Sequence, residues 1–136
     1  MALVLAPDME LWLTRYLRAP VFALGADISN KEPADLQVPL ARPLIVVRDD
    51  SGNRKSKITF DRSIGVSVLA GSRRHDQPAN DLARRVMAIL TDDAIVEAEG
   101  SPIASVDDCN GPYPVQDELD VARRYFTVQY TVVGSW

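Results

Sequence analysis

Apolar and polar positions alternate most cleanly near the C-terminal end of the chain. In VARRYFTVQYTVVG, from Val121 to Gly134, Phe126, Val128, Tyr130 and Val132 fall on one face of an extended chain, and Thr127, Gln129 and Thr131 fall on the other. β-Branched and aromatic residues run throughout, so the pattern predicts a strand that buries one face against helices and leaves the other wetter. At ~3.3 Å per residue it runs on the order of 40 Å, long enough to extend past its own domain. Elsewhere the period lengthens to that of a helix. From Asp8 to Ala19, Met9, Trp12, Leu13, Tyr16 and Leu17 form one stripe, while Glu10, Thr14, Arg15 and Arg18 face outward. Asp8 suits the N-cap and Pro20 stops the helix. The aromatic pair Trp12 and Tyr16 reads as core. A second helix has Pro78 in its first turn and Ala79, Leu82, Ala83, Val86, Ile89 and Leu90 on its apolar face, and it ends at Thr91-Asp92-Asp93.

Between these elements the sequence reads as short strands and turns. Leu44 to Arg48 is an apolar run that predicts an interior strand, and DDSGN at Asp49 to Asn53 is a turn signal. Lys57 to Asp61 extends the outgoing arm, and Ile64, Val66 and Val68 alternate with Gly65 and Ser67. The whole predicts a long hairpin whose charged tip carries Arg54, Lys55 and Lys57. Val21 to Leu24 and Pro102 to Val106 read as further short strands. Gly25 to Pro43, with three prolines, reads as an ordered surface connection, Gly71 to Gln77 as a linker, and DDCNGPYP at Asp107 to Pro114 as a turn. The expected fold is α+β: a single domain over 1–136, with a four- to five-stranded, mostly antiparallel sheet, two amphipathic helices on one face and a long projecting hairpin.

Charge changes this picture locally. The net charge of −4 is modest, but Thr91 to Asp120 carries nine acidic residues and no Lys or Arg, whereas Arg42 to Arg85 carries ten basic residues against five acidic. Two readings stand open: solvated loops, or a head-to-tail contact between the basic segment of one copy and the acidic segment of the next. The second reading marks Arg54, Lys55, Lys57, Arg73 and Arg74 against Asp107, Asp108, Asp117 and Glu118. Overall acidity argues against tight nucleic-acid binding. No apolar run approaches the ~20 residues of a membrane helix. The opening MALVLAPDME has no basic stretch before its five-residue apolar patch, so no secretory leader is expected. With the single Cys109, no internal disulfide forms.

Residues with catalytic chemistry are sparse. His75 lies beside Arg73 and Arg74 in a linker, and Cys109 lies between Asp108 and Asn110, where a negative neighbour works against thiolate formation. The carboxylate pairs Asp49/Asp50, Asp92/Asp93 and Asp107/Asp108 read as turn caps, with hard-metal binding at Asp107 and Asp108 the alternative. SGNRKS, Ser51 to Ser56, lacks the glycines of a phosphate loop, and no dinucleotide fingerprint or G-x-S-x-G occurs. No catalytic, cofactor or metal residue is assigned.

The order of elements carries a resemblance. An N-terminal helix MELWLTRYL, a proline-rich connection, a hairpin, a second helix DLARRVMAIL and the closing GPYPVQDELDVARRYFTVQYTVVG follow one another. Over nearly the whole chain this resembles the tail terminator (tail completion) proteins of long-tailed bacteriophages, particularly those of actinobacterial hosts. The resemblance implies a structural virion protein without catalysis or cofactor, assembled in the host cytoplasm as a hexameric ring. Such a ring caps the head-proximal end of the tail tube, stops its polymerisation and meets the head–tail connector or stopper. Its partners are other copies of itself, the major tail tube protein and the connector, with DNA passing through the lumen without specific binding. Acidic residues such as Glu97, Glu99, Asp107 or Asp108 would then repel phosphates from the lumen wall. Three other readings remain: a neck adaptor or stopper, a small metal-dependent enzyme built on a carboxylate pair, and a monomeric binding module.

Overall fold

A computed structural model describes residues 3–136. Met1 and Ala2, which open the apolar start of the chain, lie outside the described residues. The strand expected near the C-terminal end is β5, Ala122–Val133, and it has a neighbour on both sides. The others are β1, Asp27–Ser29; β2, Leu44–Asp49; β3, Thr59–Ala70; and β4, Ile103–Val115. They form one mixed sheet in the order β1-β2-β3-β5-β4, antiparallel except for the β1–β2 pair. Three helices complete the α+β domain: α1, Met9–Leu17; α2, Gln77–Thr91; and the short α3, Ala94–Glu97.

One sheet face holds the core. Ile45 and Val47 of β2, Ile64, Val66 and Val68 of β3, and Phe126, Val128, Tyr130 and Val132 of β5 meet Met9, Leu13 and Leu17 of α1 and Leu82, Ala83, Val86 and Leu90 of α2. Each large apolar side chain buried there contributes roughly 1.5–3 kcal/mol. Tyr130 is fully buried, and its hydroxyl donates to the Leu90 carbonyl at the end of α2. Trp12 and Tyr16, expected in the core, are half-buried at its margin, with their rings stacked at 5.0 Å. Thr14, expected to face outward, is buried. Its hydroxyl donates to the Glu10 carbonyl at 2.7 Å, which satisfies the polar group inside the helix.

Val21 to Leu24 is not a strand. Pro20–Phe22 forms a turn of 3-10 helix closed by Ala23 at φ 47°, and Phe22 folds back edge-on against Tyr16 at 5.1 Å. The Gly25–Pro43 connection contributes β1, and its Leu36, Val38 and Leu40 cover a second, smaller cluster of Leu44, Val46, Leu69 and Val121 on the opposite sheet face. The hairpin is unequal: β2 stops at Asp49, whereas β3 runs on to Thr59, and this outer arm is paired with β5 as far as Val133. Asp107 to Pro114 is also not a turn. It lies within β4, an edge strand with three register shifts against β5. An edge strand tolerates prolines and paired acids because its outer side needs no partner, and bulges absorb the misfit. The actual bend is 116–121, where Asp117 accepts the Leu119 N–H at 3.0 Å.

Candidate interaction surfaces

The opposed charged segments come close at two places inside one subunit, Lys55 near Asp107 and Arg73 near Asp117, although no ion pair joins 42–85 to 91–120 among the described residues. At the hairpin tip, Lys55 pairs with Asp61 at 3.2 Å and donates to the Thr131 hydroxyl at 3.1 Å. That hydroxyl donates to Asp107 at 2.6 Å, and Ser105 donates to the other Asp107 oxygen at the same distance. Partial burial pushes the Asp107 carboxyl up, but the bonds from Ser105 and Thr131 and the charge of Lys55 outweigh it and hold the group below the usual carboxylate range. Arg54 donates to the carbonyls of Ser56 and Lys57 and lies over the Phe60 ring at 5.2 Å. The tip is thereby folded back on the sheet.

The other end of the sheet repeats the arrangement. The Arg73 guanidinium donates to the carbonyls of Asp117 and Glu118, and its backbone N–H donates to Asp120 at 3.0 Å. Arg123, largely buried, pairs with Glu32 at 2.8 Å and Asp117 at 2.9 Å. Burial lowers the pKa of Arg123, but the two carboxylates more than reverse this. Burial likewise pushes Asp117 up, yet the Leu119 N–H, Arg123 and Arg73 bring it below the ordinary value of 3.8. Arg124 pairs with Asp76 at 2.9 Å.

Among the marked residues, Arg54, Lys55, Arg73, Asp107 and Asp117 are thus engaged within the subunit. Asp108 accepts the N–H of Cys109 at 2.8 Å, which seals part of the β4 edge. Among the described residues, no hydrogen bond or ion pair engages the side chains of Lys57, Arg74 or Glu118. Glu97 and Glu99 are exposed at and just after α3, ahead of β4, while Asp107 and Asp108 lie midway along β4.

The sequence places Thr127, Gln129 and Thr131 on a wetter second face of the sheet but not the residues of β3 and β4 that adjoin them there. Beyond the small apolar cluster, this face is built from Ser63, Gly65 and Ser67 of β3, Tyr125, Thr127, Gln129 and Thr131 of β5, and Asp108, Asn110 and Tyr113 of β4. Tyr125 lies across Gly65, where a Cβ would come within 2.2 Å of its hydroxyl, and Tyr113 meets Tyr125 edge-on at 5.8 Å. The clue was present in the polar alternate positions of β5, but only pairing shows which residues adjoin them. A polar hollow of about 410 Å³ on this side is lined by Lys55, Asp61, Ser63, Asp107 and Gln129. An apolar groove of about 390 Å³ lies on the helix side, between Leu11 and Trp12 of α1 and Pro102 and Val133.

His75 and Cys109 are both exposed. Among the described residues, no three His, Cys, Asp or Glu side chains cluster to hold a metal ion, and no helix is long and apolar enough to cross a membrane. Comparison of the chain with protein-family models gives no match, and comparison with curated protein sequences gives none.

Proposed function

We propose that the chain is a structural virion protein of the tail-terminator kind. In this reading it forms a hexameric ring that caps the head-proximal end of the phage tail tube, stops tube growth and joins the tube to the connector or stopper. DNA passes through the lumen. The element order that resembles such proteins supports this reading, and one structural observation carries it: among the described residues all three helices lie on one side of the sheet, and no helix or strand covers the hydroxyl- and amide-rich face of β3, β5 and β4. A row of hydroxyls and amides bordered by Lys55, Asp61, Asp107 and Asp108 suits a wet contact with a neighbouring subunit or tube end. Because most of the marked side chains already have partners within the subunit, the charged part of a head-to-tail contact falls to Lys57, Arg74 and Glu118.

Native mass spectrometry and negative-stain imaging test the ring, and growth of tubes from purified tail tube protein tests the cap. A six-fold particle with a central hole that arrests tube growth is the expected result. A particle that binds connectors and ignores tubes makes the protein a neck adaptor, and a monomer at every concentration that leaves tube growth unchanged overturns the proposal.

A further inference from the structure

Sheet edges are where chains join, and this chain seals nearly all of its own. β1 is three residues long, and the Arg18 guanidinium occupies its Ile28 carbonyl. β4 carries Asp107, Asp108, Pro112 and Pro114 along with its three register shifts. These are the usual devices against strand addition. One short edge lacks them. Leu5 exchanges both backbone hydrogen bonds with Ser135, at 2.8 and 3.0 Å, so the segment before α1 continues the sheet beside the end of β5.

In an antiparallel pair of this kind, the residues flanking Leu5 turn their N–H and C=O groups away from β5. Val4 and Ala6 therefore present two donors and two acceptors outward, and none of them has a backbone partner among the described residues. Leu3-Val4-Leu5-Ala6 contains no charge and no proline. Val4 packs on the core, which sends Leu3 and Leu5 the other way, where they are 79% and 65% exposed. Trp136, next to the bridge, is 72% exposed.

The geometry points to this edge as a two-fold contact between copies of the chain. A second copy supplies what the edge needs, an uncharged apolar strand with the same open groups; the other uncharged, proline-free edge stretch of this length among the described residues, Ile103 to Val106 of β4, is broken by one register shift and ends at another. With the axis at Leu5, Val4 of each copy exchanges both hydrogen bonds with Ala6 of the other, and the two Leu5 residues face each other as a non-hydrogen-bonded pair, with Cα atoms about 4.5 Å apart. The two five-stranded sheets are then joined at this corner. Being isologous, the contact adds to a head-to-tail ring rather than making one, and it does not rest on the terminator reading.

The test is cysteine cross-linking in the full chain with Cys109→Ser as background. Leu5→Cys is expected to give a covalent dimer under mild oxidation, because the paired Cα distance lies within disulfide reach. Leu3→Cys, whose copies stand four strand positions apart, or about 13 Å, is expected to give at least tenfold less. Sedimentation supplies the second arm: Ala6→Pro, which removes an outward N–H, and Leu5→Lys are each expected to weaken pairing at least tenfold with unchanged melting. Equal cross-linking at both positions, or association indifferent to both edge substitutions, overturns the contact. A ring that forms equally well in the wild type and in Leu5→Lys, with no two-fold pairing in either, overturns it while leaving the ring intact. Failure to cap tubes with pairing retained removes the terminator reading alone.

Discussion

β4 and β5 are hydrogen-bonded neighbours of nearly equal length, thirteen and twelve residues, and they obey different rules. β5 has a strand on each side and helices over one face, so from Phe126 to Val132 every second residue is buried, and the ladder to β3 runs without a shift. β4 has one neighbour, buries only Ile103 fully, and slips register three times. Strand chemistry is therefore set by the number of sides that must be satisfied. A position facing two neighbours and a core admits few residues, whereas a position with an open side admits acids, prolines and a free cysteine.

Substitutions across the pair test this rule. Tyr130→Asp places a charge where a fully buried ring stood and leaves the Leu90 carbonyl unpaired; loss of the fold, more than about 4 kcal/mol, is expected in denaturant titration, and a normal melting temperature would show that the strand faces the other way. Val128 and Cys109 are register partners and give the sharpest contrast. Val128→Ser should cost about 2–3 kcal/mol, while Cys109→Ser should stay within about 0.5 kcal/mol; equal costs would break the comparison. Gly111 is the exception within β4. Its φ is 108°, and a Cβ would meet the Tyr125 carbonyl at 2.8 Å, so Gly111→Ala should cost about 1–3 kcal/mol although the residue is exposed.

Smaller effects are expected at the two charge clusters. The folded pKa of Asp117 and of Asp107 lies below the ordinary 3.8, so the stabilisation is complete above that value and is lost as pH falls through the folded value. The acid limb of a stability–pH profile should therefore flatten in Asp117→Asn, and an unchanged limb would remove the Arg123 cluster from the account. Lys55→Met should cost no more than about 1 kcal/mol, because the pair is half exposed, and should show itself as faster proteolysis at Ser51–Ile58. Lys57→Glu leaves the folded-back tip intact, so any loss of assembly it causes reports on contacts between subunits.

The α+β class, α1, α2, β2 and the burial of Phe126, Val128, Tyr130 and Val132 were all legible in the chain, because each depends on local periodicity and on caps within a few residues. The course of β4 was not. DDCNGPYP has a turn-former's composition, and it is held extended by the twelve-residue strand beside it rather than by its own preferences. Thr14 was misplaced because a hydroxyl bonded to its own helix can be buried without penalty. The pairing of Lys55 with Thr131 and of Arg73 with the 117–120 bend joins residues 76 and up to 47 positions apart. Local patterns determined which elements form and which faces are apolar. Only the tertiary structure decided that Lys55 stands near Asp107 and Arg73 near Asp117, because Coulomb attraction depends on distance in space and the sequence records only distance along the chain.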